Sequence, residues 1–100
     1  MAKTTNSVEW KVSRGTMATK EGATKMFGIT AELLVNDEVM LEIHDISVKD
    51  GSKGTYMALP QRSYKDKNGD TKYVSTVYMD RESEVYKLLS DAVLTYFDEQ

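Results

Sequence analysis

The sequence predicts an α+β fold, an antiparallel sheet of four to five strands packed by a C-terminal α-helix. Three observations predict this fold. The chain has the 100 residues of one small domain, short segments of alternating apolar and polar residues fill residues 7–79, and a helical apolar stripe follows over residues 82–97. We therefore expect residues 1–100 to form a single domain, in which residues 1–6 are disordered.

The composition is that of a globular protein with one packed core. The chain is 40% hydrophobic and 29% charged, its net charge is -3, and it contains no cysteine. The lack of cysteine excludes disulfides, thiolate catalysis and cysteine-ligated zinc. No segment approaches the ~18 apolar residues of a membrane span. We expect a cytoplasmic protein with no membrane partner and no cofactor.

The first half of the chain predicts three strands. Residues 7–14, SVEWKVSR, place Trp10 and Val12 on one side of a half-buried strand. A polar loop then leads to a second strand over residues 26–35. Residues 36–38, NDE, predict a tight turn, so the second and third strands should form a hairpin.

The third predicted strand, residues 39–48, changes its apolar phase. Apolar residues occupy odd positions as far as Ile43 and even positions from Ile46 onward. A strand cannot change its buried face without an extra residue, so we expect a β-bulge at His44 and Asp45. For His44, the only histidine, a structural hydrogen bond is favoured over a binding contact, and both over catalysis or metal ligation.

The remaining strand signals are shorter. Residues 49–54, KDGSKG, predict a turn, and residues 55–60 a fourth strand that Pro60 ends because proline has no N–H to donate. Residues 63–72 predict a polar hairpin tip around an Asn-Gly pair, and residues 73–79 a fifth strand.

The C-terminal segment predicts a helix from about residue 82 to residue 97, with Asp80 as its N-cap. Its apolar residues recur with helical spacing, and we expect this stripe to cover one face of the sheet. The stripe comprises Val85, Leu88, Leu89, Ala92, Val93, Tyr96 and Phe97.

Catalytic patterns are missing from the sequence. There is no cysteine, only one histidine and no GxSxG-type nucleophile motif. Asp45 and Asp50 could be imagined as an acid and base pair, but they flank a strand end and a turn, where aspartate is favoured by backbone hydrogen bonding. We predict that the protein is not an enzyme.

Residues 44–62, HDISVKDGSKGTYMALPQR, resemble the signature of the SpoVG family, the bacterial stage V sporulation protein G or septation proteins. The matching residues are His44, Asp45, Ile46, Val48, Asp50, Gly51, Gly54, Ala58, Pro60 and Arg62. The helical segment SDAVLTYF is also similar to the family, at Asp91, Ala92, Val93 and Leu94.

The resemblance implies a homodimeric regulator of sporulation, septation or cell division that binds DNA and, in some members, RNA. Other regulatory proteins are further possible partners. One feature of the family is not reproduced, because the positions of its basic pair before the last helix are occupied here by Tyr86 and Leu88. The alternative is therefore a protein-binding adaptor that keeps the fold without strong affinity for nucleic acid.

The candidate nucleic-acid contacts come from a local excess of positive charge. Residues 51–75 contain five basic and two acidic residues, although the whole chain is acidic. The candidate binding residues are Lys53, Arg62, Lys65, Lys67, Lys72 and, as an accessory, Arg81. Most would contact phosphates, whereas Arg62 is expected to make a directional contact. The alternative for Arg62 is an ion pair with Asp45 or Asp50 at the strand end.

Overall fold

The computed structural model describes residues 7–100, so the disorder expected for residues 1–6 lies outside the described residues. Residues 7–100 form seven strands and one helix. In order they are β1 Val8–Ser13, β2 Thr16–Met17, β3 Thr24–Val35, β4 Glu38–Gly51, β5 Gly54–Ala58, β6 Gln61–Lys65, β7 Thr71–Ser75 and α1 Glu84–Asp98.

The predicted α+β fold is confirmed. Strands β1 to β5 form one antiparallel sheet in the order β1-β3-β4-β5, with the short β2 also paired to β3. Strands β6 and β7 form a separate antiparallel pair. We call β1–β5 with α1 the body, and residues 61–75 the arm.

The β3–β4 hairpin forms as predicted. Its two-residue loop is Asn36 and Asp37, whose φ angles of 52° and 67° are those of a type I′ turn. Asparagine and aspartate tolerate this left-handed backbone better than most side chains, which explains why the residues following Val35 close a tight turn.

The predicted β-bulge at His44 and Asp45 is also confirmed. Between the pairs Ala31–Ile43 and Ile29–Ile46, β3 contributes one residue and β4 contributes two. Asp45 takes the bend with a φ of 64°. The bulge lets both Ile43 and Ile46 face the core, since both are buried.

Helix α1 covers one face of the sheet and completes the core. Leu89 and Val93 are fully buried, as predicted. The indole N–H of Trp10 donates to the carbonyl of Val85 at 3.1 Å, which ties β1 to the first turn of the helix. The buried apolar residues are Met26, Ile29, Ala31, Ile43, Ile46, Val48, Met57, Leu89 and Val93.

The start of the helix differs from the prediction. Ser83, not Asp80, is the N-cap, and its hydroxyl accepts from the Tyr86 N–H at 3.2 Å. Asp80 closes the preceding turn, where its carboxylate accepts from the Glu82 N–H. The assignment of Asp80 was wrong because aspartate satisfies backbone donors in turns as readily as at helix ends.

The predicted apolar stripe is partly wrong at its N-terminal end. Val85 and Leu88 are exposed, whereas Tyr86 is half-buried and packs against the core. The stripe that packs on the sheet therefore includes the buried Leu89 and Val93 and the half-buried Tyr86 and Tyr96. Helical spacing alone does not decide which edge of a wide stripe touches the sheet.

Several predicted strand boundaries are corrected. The strand β2, Thr16–Met17, and the start of β3 lie in the predicted polar loop, and β2 is the fifth strand of the main sheet. The predicted fifth strand, residues 73–79, is replaced by β7, which pairs with β6 outside that sheet. Pro60 does stand where the chain leaves β5.

The β4–β5 turn lies later than its glycine spacing suggested. Gly51 is still paired with Gly54, so the loop consists of Ser52 and Lys53. Of the two glycines only Gly54 has a positive φ, 110°. Within residues 7–100, no helix is long and apolar enough to cross a membrane.

Candidate nucleic-acid interface

The arm projects from the body without contributing to its core. Every residue of β6 and β7 is exposed, and neither strand packs against α1 or the strands of the main sheet. At its base the Thr76 N–H donates to the Pro60 carbonyl at 3.1 Å, so the two ends of the arm are adjacent. The Cα radius of gyration is 15.8 Å, above the ~13 Å of a compact 100-residue domain.

The tip of the arm is closed by one carboxylate. Asp66 Oδ1 accepts from the backbone N–H groups of Asn68 and Asp70, at 2.9 and 3.0 Å. Gly69 adopts a φ of 80°, a conformation that glycine takes at little cost. The predicted turn around Asn68 and Gly69 is therefore confirmed, although the strands approach it more closely than residues 63–72 suggested.

The strand register divides the arm into two faces. Arg62 lies opposite Val74 and Tyr64 lies opposite Lys72, and residues opposite each other in an antiparallel pair share a face. This outward face, formed by Arg62, Tyr64, Lys72 and Val74, therefore presents two cations around one tyrosine. Arg62 and Tyr64 are two residues apart along β6, a separation of roughly 6.8 Å.

The other face of the arm turns toward the main sheet. Gln61, Ser63 and Tyr73 line a cleft of about 290 Å³ whose opposite wall includes Asp45. Arg62 lies on the outward face, and no ion pair joins it to Asp45 or Asp50 within the described residues. The alternative that Arg62 pairs with one of these aspartates is therefore wrong.

The structure brings four of the six candidate cations together on the arm. Arg62 and Lys72 share the outward face, Lys65 lies on the other face near the tip, and Lys67 belongs to the tip itself. Lys53 is separate, because it lies in the β4–β5 turn at the end of β5 away from the arm. Arg81 lies just before the helix.

These cations are largely uncompensated. Lys72 Nζ lies 3.9 Å from Asp66 Oδ2, a long ion pair between an exposed lysine and a half-buried aspartate. In the part of the chain that the structure describes, none of the other five candidates is within 4.0 Å of a carboxylate oxygen. Their charges are available to an anionic partner.

A larger cleft of about 570 Å³ lies where β5, the base of the arm and the entry to α1 meet. Arg81 is the one predicted site residue that lines it. Sequence reasoning missed the other polar and aromatic members, because they come from separate segments that no local motif connects. Those members include Lys49, Tyr56, Tyr78 and Tyr86.

His44 has the structural role that the sequence favoured. Its Nε2 lies 3.2 Å from a carboxylate oxygen of Glu42, and its Nδ1 lies 3.2 Å from the hydroxyl of Thr30. With the proton on Nε2, the ring donates to Glu42 and accepts from the buried Thr30. The imidazole thus provides a hydrogen-bond partner for the hydroxyl of Thr30, the one residue that β3 places opposite the bulge. Residues 7–100 contain no group of three or more potential metal-ligating side chains of the His, Cys, Asp and Glu types.

No protein-family model matches the chain, and a search of curated proteins gave no significant match.

Proposed function

We propose that the protein is a small regulatory protein that binds DNA or RNA, as its resemblance to the SpoVG family implies. The observation that supports this proposal best is the arm. Four cations lie on a hairpin that packs against no other strand or helix among the described residues, and three of them have no ion-pair partner there. Side chains on such a hairpin are free to meet a partner.

The cations of the arm would hold phosphates. Nucleic acids carry a dense row of negative charge, and each cation that neutralises a phosphate releases condensed counterions. Lys65, Lys67 and Lys72 offer point charges suited to this sequence-independent contact. Arg62 offers a planar fork that can grip a guanine edge or a phosphate through two hydrogen bonds.

Salt dependence of binding tests the role of the arm. The test compares two variants of equal net charge, one with Lys65, Lys67 and Lys72 changed to Gln, and a control with Lys11, Lys20 and Lys87 changed to Gln. Fluorescence anisotropy against mixed-sequence DNA and RNA should show that the arm variant loses affinity. Its slope of log K against log salt should fall by about two to three units, since each phosphate contact contributes about 0.9 on duplex and 0.7 on single strands.

The control variant should keep most of the slope, because its lysines lie on β1, the loop before β3 and α1. Equal losses in the two variants would overturn the role of the arm, because only the net charge would then matter.

We also propose that the protein acts as a cytoplasmic homodimer. The body has open sheet edges at β1 and β5 and exposes apolar side chains that a second copy could cover. Met40 is 68% exposed, and Leu88 and Val39 are also exposed. Light scattering at tens of micromolar should give twice the 11.3 kDa chain mass, and Met40→Lys should lower it. A monomer mass for the unchanged protein would contradict the dimer.

The second candidate function is a protein-binding adaptor. It is favoured by the exposed Leu88, which occupies a position where the SpoVG family, which the chain resembles, has a basic residue. The same anisotropy titration separates the two functions, since an adaptor without affinity for nucleic acid would leave both DNA and RNA probes unbound at low salt.

A further inference from the structure

We propose that the 570 Å³ cleft at the entry to α1 binds an unstacked base of a single-stranded nucleic acid together with its phosphate. This inference rests on the proposed function and specifies its substrate class. The cleft lies between the edge strand β5, the base of the arm and residues 77–81. Its volume falls within the ~300–1,000 Å³ of typical small-ligand pockets.

Aromatic rings are the first evidence for a base. Three of the six tyrosines in the chain, Tyr56, Tyr78 and Tyr86, line this cleft. Tyr86 is half-buried and packs on the core, but Tyr78 is 88% exposed. A ring so exposed gains little from burial, and its face is free to stack on a base.

The charge of the cleft points to an anionic ligand. Lys49 and Arg81 line it, and none of the lining residues is acidic, although the chain has 16 acidic and 13 basic residues. Neither cation is within 4.0 Å of a carboxylate oxygen in residues 7–100. Of the two acids that flank Arg81, Asp80 accepts the Glu82 N–H, and neither belongs to the lining. The cleft therefore complements a phosphate.

Continuity with the arm favours a polymer over a free nucleotide. Gln61 and Ser75, a directly paired couple at the base of the arm, also line the cleft. Lys65 lies on the same face of β6 as Gln61, whereas Arg62 lies on the opposite face. A single strand held by the arm can thus pass its next nucleotide into the cleft, whereas a base inside a duplex cannot leave its stack without a cost of a few kcal/mol.

The floor of the cleft suits the face of a base. Met57 is buried, and Leu59 and Met79 are half-buried and pack on the core. Thioether and aliphatic groups accept a flat apolar surface without imposing hydrogen bonds. An exposed tyrosine, apolar side chains packed on the core and two cations together fit a nucleotide of any base.

The test measures fluorescence anisotropy with one labelled oligothymidylate of about 12 nucleotides, alone and annealed to its complement. The full-length protein should bind the single strand more tightly than the duplex at equal salt. Tyr78→Ala should weaken single-strand binding by roughly five- to 150-fold, the loss expected from one stacked base, and leave the duplex affinity unchanged. Tyr78→Phe keeps the ring and should retain single-strand affinity.

One control and one further test variant keep the outcomes distinct. Phe27→Ala removes an exposed aromatic ring outside this cleft and should leave both affinities unchanged. Arg81→Gln should reduce the single-strand salt slope by about 0.7. If the wild-type protein binds neither probe, the proposed function fails together with this inference. If it binds but Tyr78→Ala has no effect, or weakens both probes equally, only the inference is overturned.

Discussion

The body and the arm use similar strand sequences for opposite purposes. In the body, the alternation of β4, shifted once by the bulge at His44 and Asp45, buries Ile43, Ile46 and Val48 beneath α1. In the arm, Tyr64 and Val74 share one face of the β6–β7 pair, yet both are exposed because no helix or second sheet within residues 7–100 covers that face. Alternation therefore specifies which side chains share a face, and the neighbouring elements decide whether that face is buried.

The difference also separates what stabilises the fold from what can bind. A two-stranded hairpin without a packed face is marginal in water, so the arm adds little to the free energy of unfolding. Its cations and tyrosines can change without loss of the core. We expect substitutions in the body to act mainly on stability and substitutions in the arm mainly on binding.

The largest effect on stability should come from a valine-to-alanine substitution in the body, which is compared with the same substitution in the arm. Val93→Ala removes two methyl groups from a fully buried position on α1 and should lower the free energy of unfolding by about 2 kcal/mol. Val74→Ala, on the arm, should change it by less than about 0.5 kcal/mol. Urea denaturation followed by circular dichroism measures both, and equal losses would show that the arm belongs to the cooperative core.

The bulge in the body gives the next largest effect. Asp45 has a φ of 64°, which a β-branched side chain tolerates poorly. Asp45→Val should cost about 1–2 kcal/mol of stability. Asp45→Gly, which accepts this backbone, should stay within about 1 kcal/mol of the unchanged protein. Thermal melts of the two variants compare them directly, and a glycine variant as unstable as the valine variant would contradict the backbone explanation.

Removing one side chain that accepts backbone hydrogen bonds should have a smaller effect on stability, and the effect should differ between the body and the arm. Ser83→Ala removes the N-cap of α1 and should lower global stability by about 1 kcal/mol. Asp66→Ala removes two hydrogen bonds at the tip of the arm but should leave global stability unchanged. Hydrogen exchange should instead speed up for amides of the tip alone, because the arm opens independently of the core. Faster exchange throughout the body of the Asp66 variant would contradict that independence.

Much of the body could be predicted from its sequence because local signals and burial agree there. The phase change between Ile43 and Ile46 located the bulge, and residues 36–38, NDE, located a hairpin turn. The predictions were wrong where more than one nearby residue could fill the same local role. Ser83, not Asp80, caps the helix, and the side chain of Val85 is exposed although its carbonyl accepts from Trp10.

The arm and its cleft were harder to predict because they depend on which strands pair. The cations of the arm could be identified from the sequence. The pairing of β7 with β6 outside the main sheet could not be predicted from it. That pairing assigns Arg62 and Lys72 to one face and leaves Lys53 at a different turn. The cleft joins residues from four separate segments, among them Tyr56 and Tyr78, so no local motif could announce it.

The smallest change in stability is expected for Arg62→Ala. Its guanidinium forms no ion pair within the described residues and lies on the outward face of the arm, so the melting temperature should not change. Lys72→Ala removes the long pair with Asp66 and should cost at most about 0.5 kcal/mol of stability, as ion pairs at the surface contribute little.

The affinity for nucleic acid should change in the opposite order, more for Arg62→Ala than for Lys72→Ala. Arg62→Ala should lose about 1–3 kcal/mol of affinity if Arg62 contacts a base, whereas Lys72→Ala should mainly lower the salt slope. An Arg62→Ala protein that melts earlier but binds normally would show that the arginine stabilises the arm, and the directional contact would be wrong.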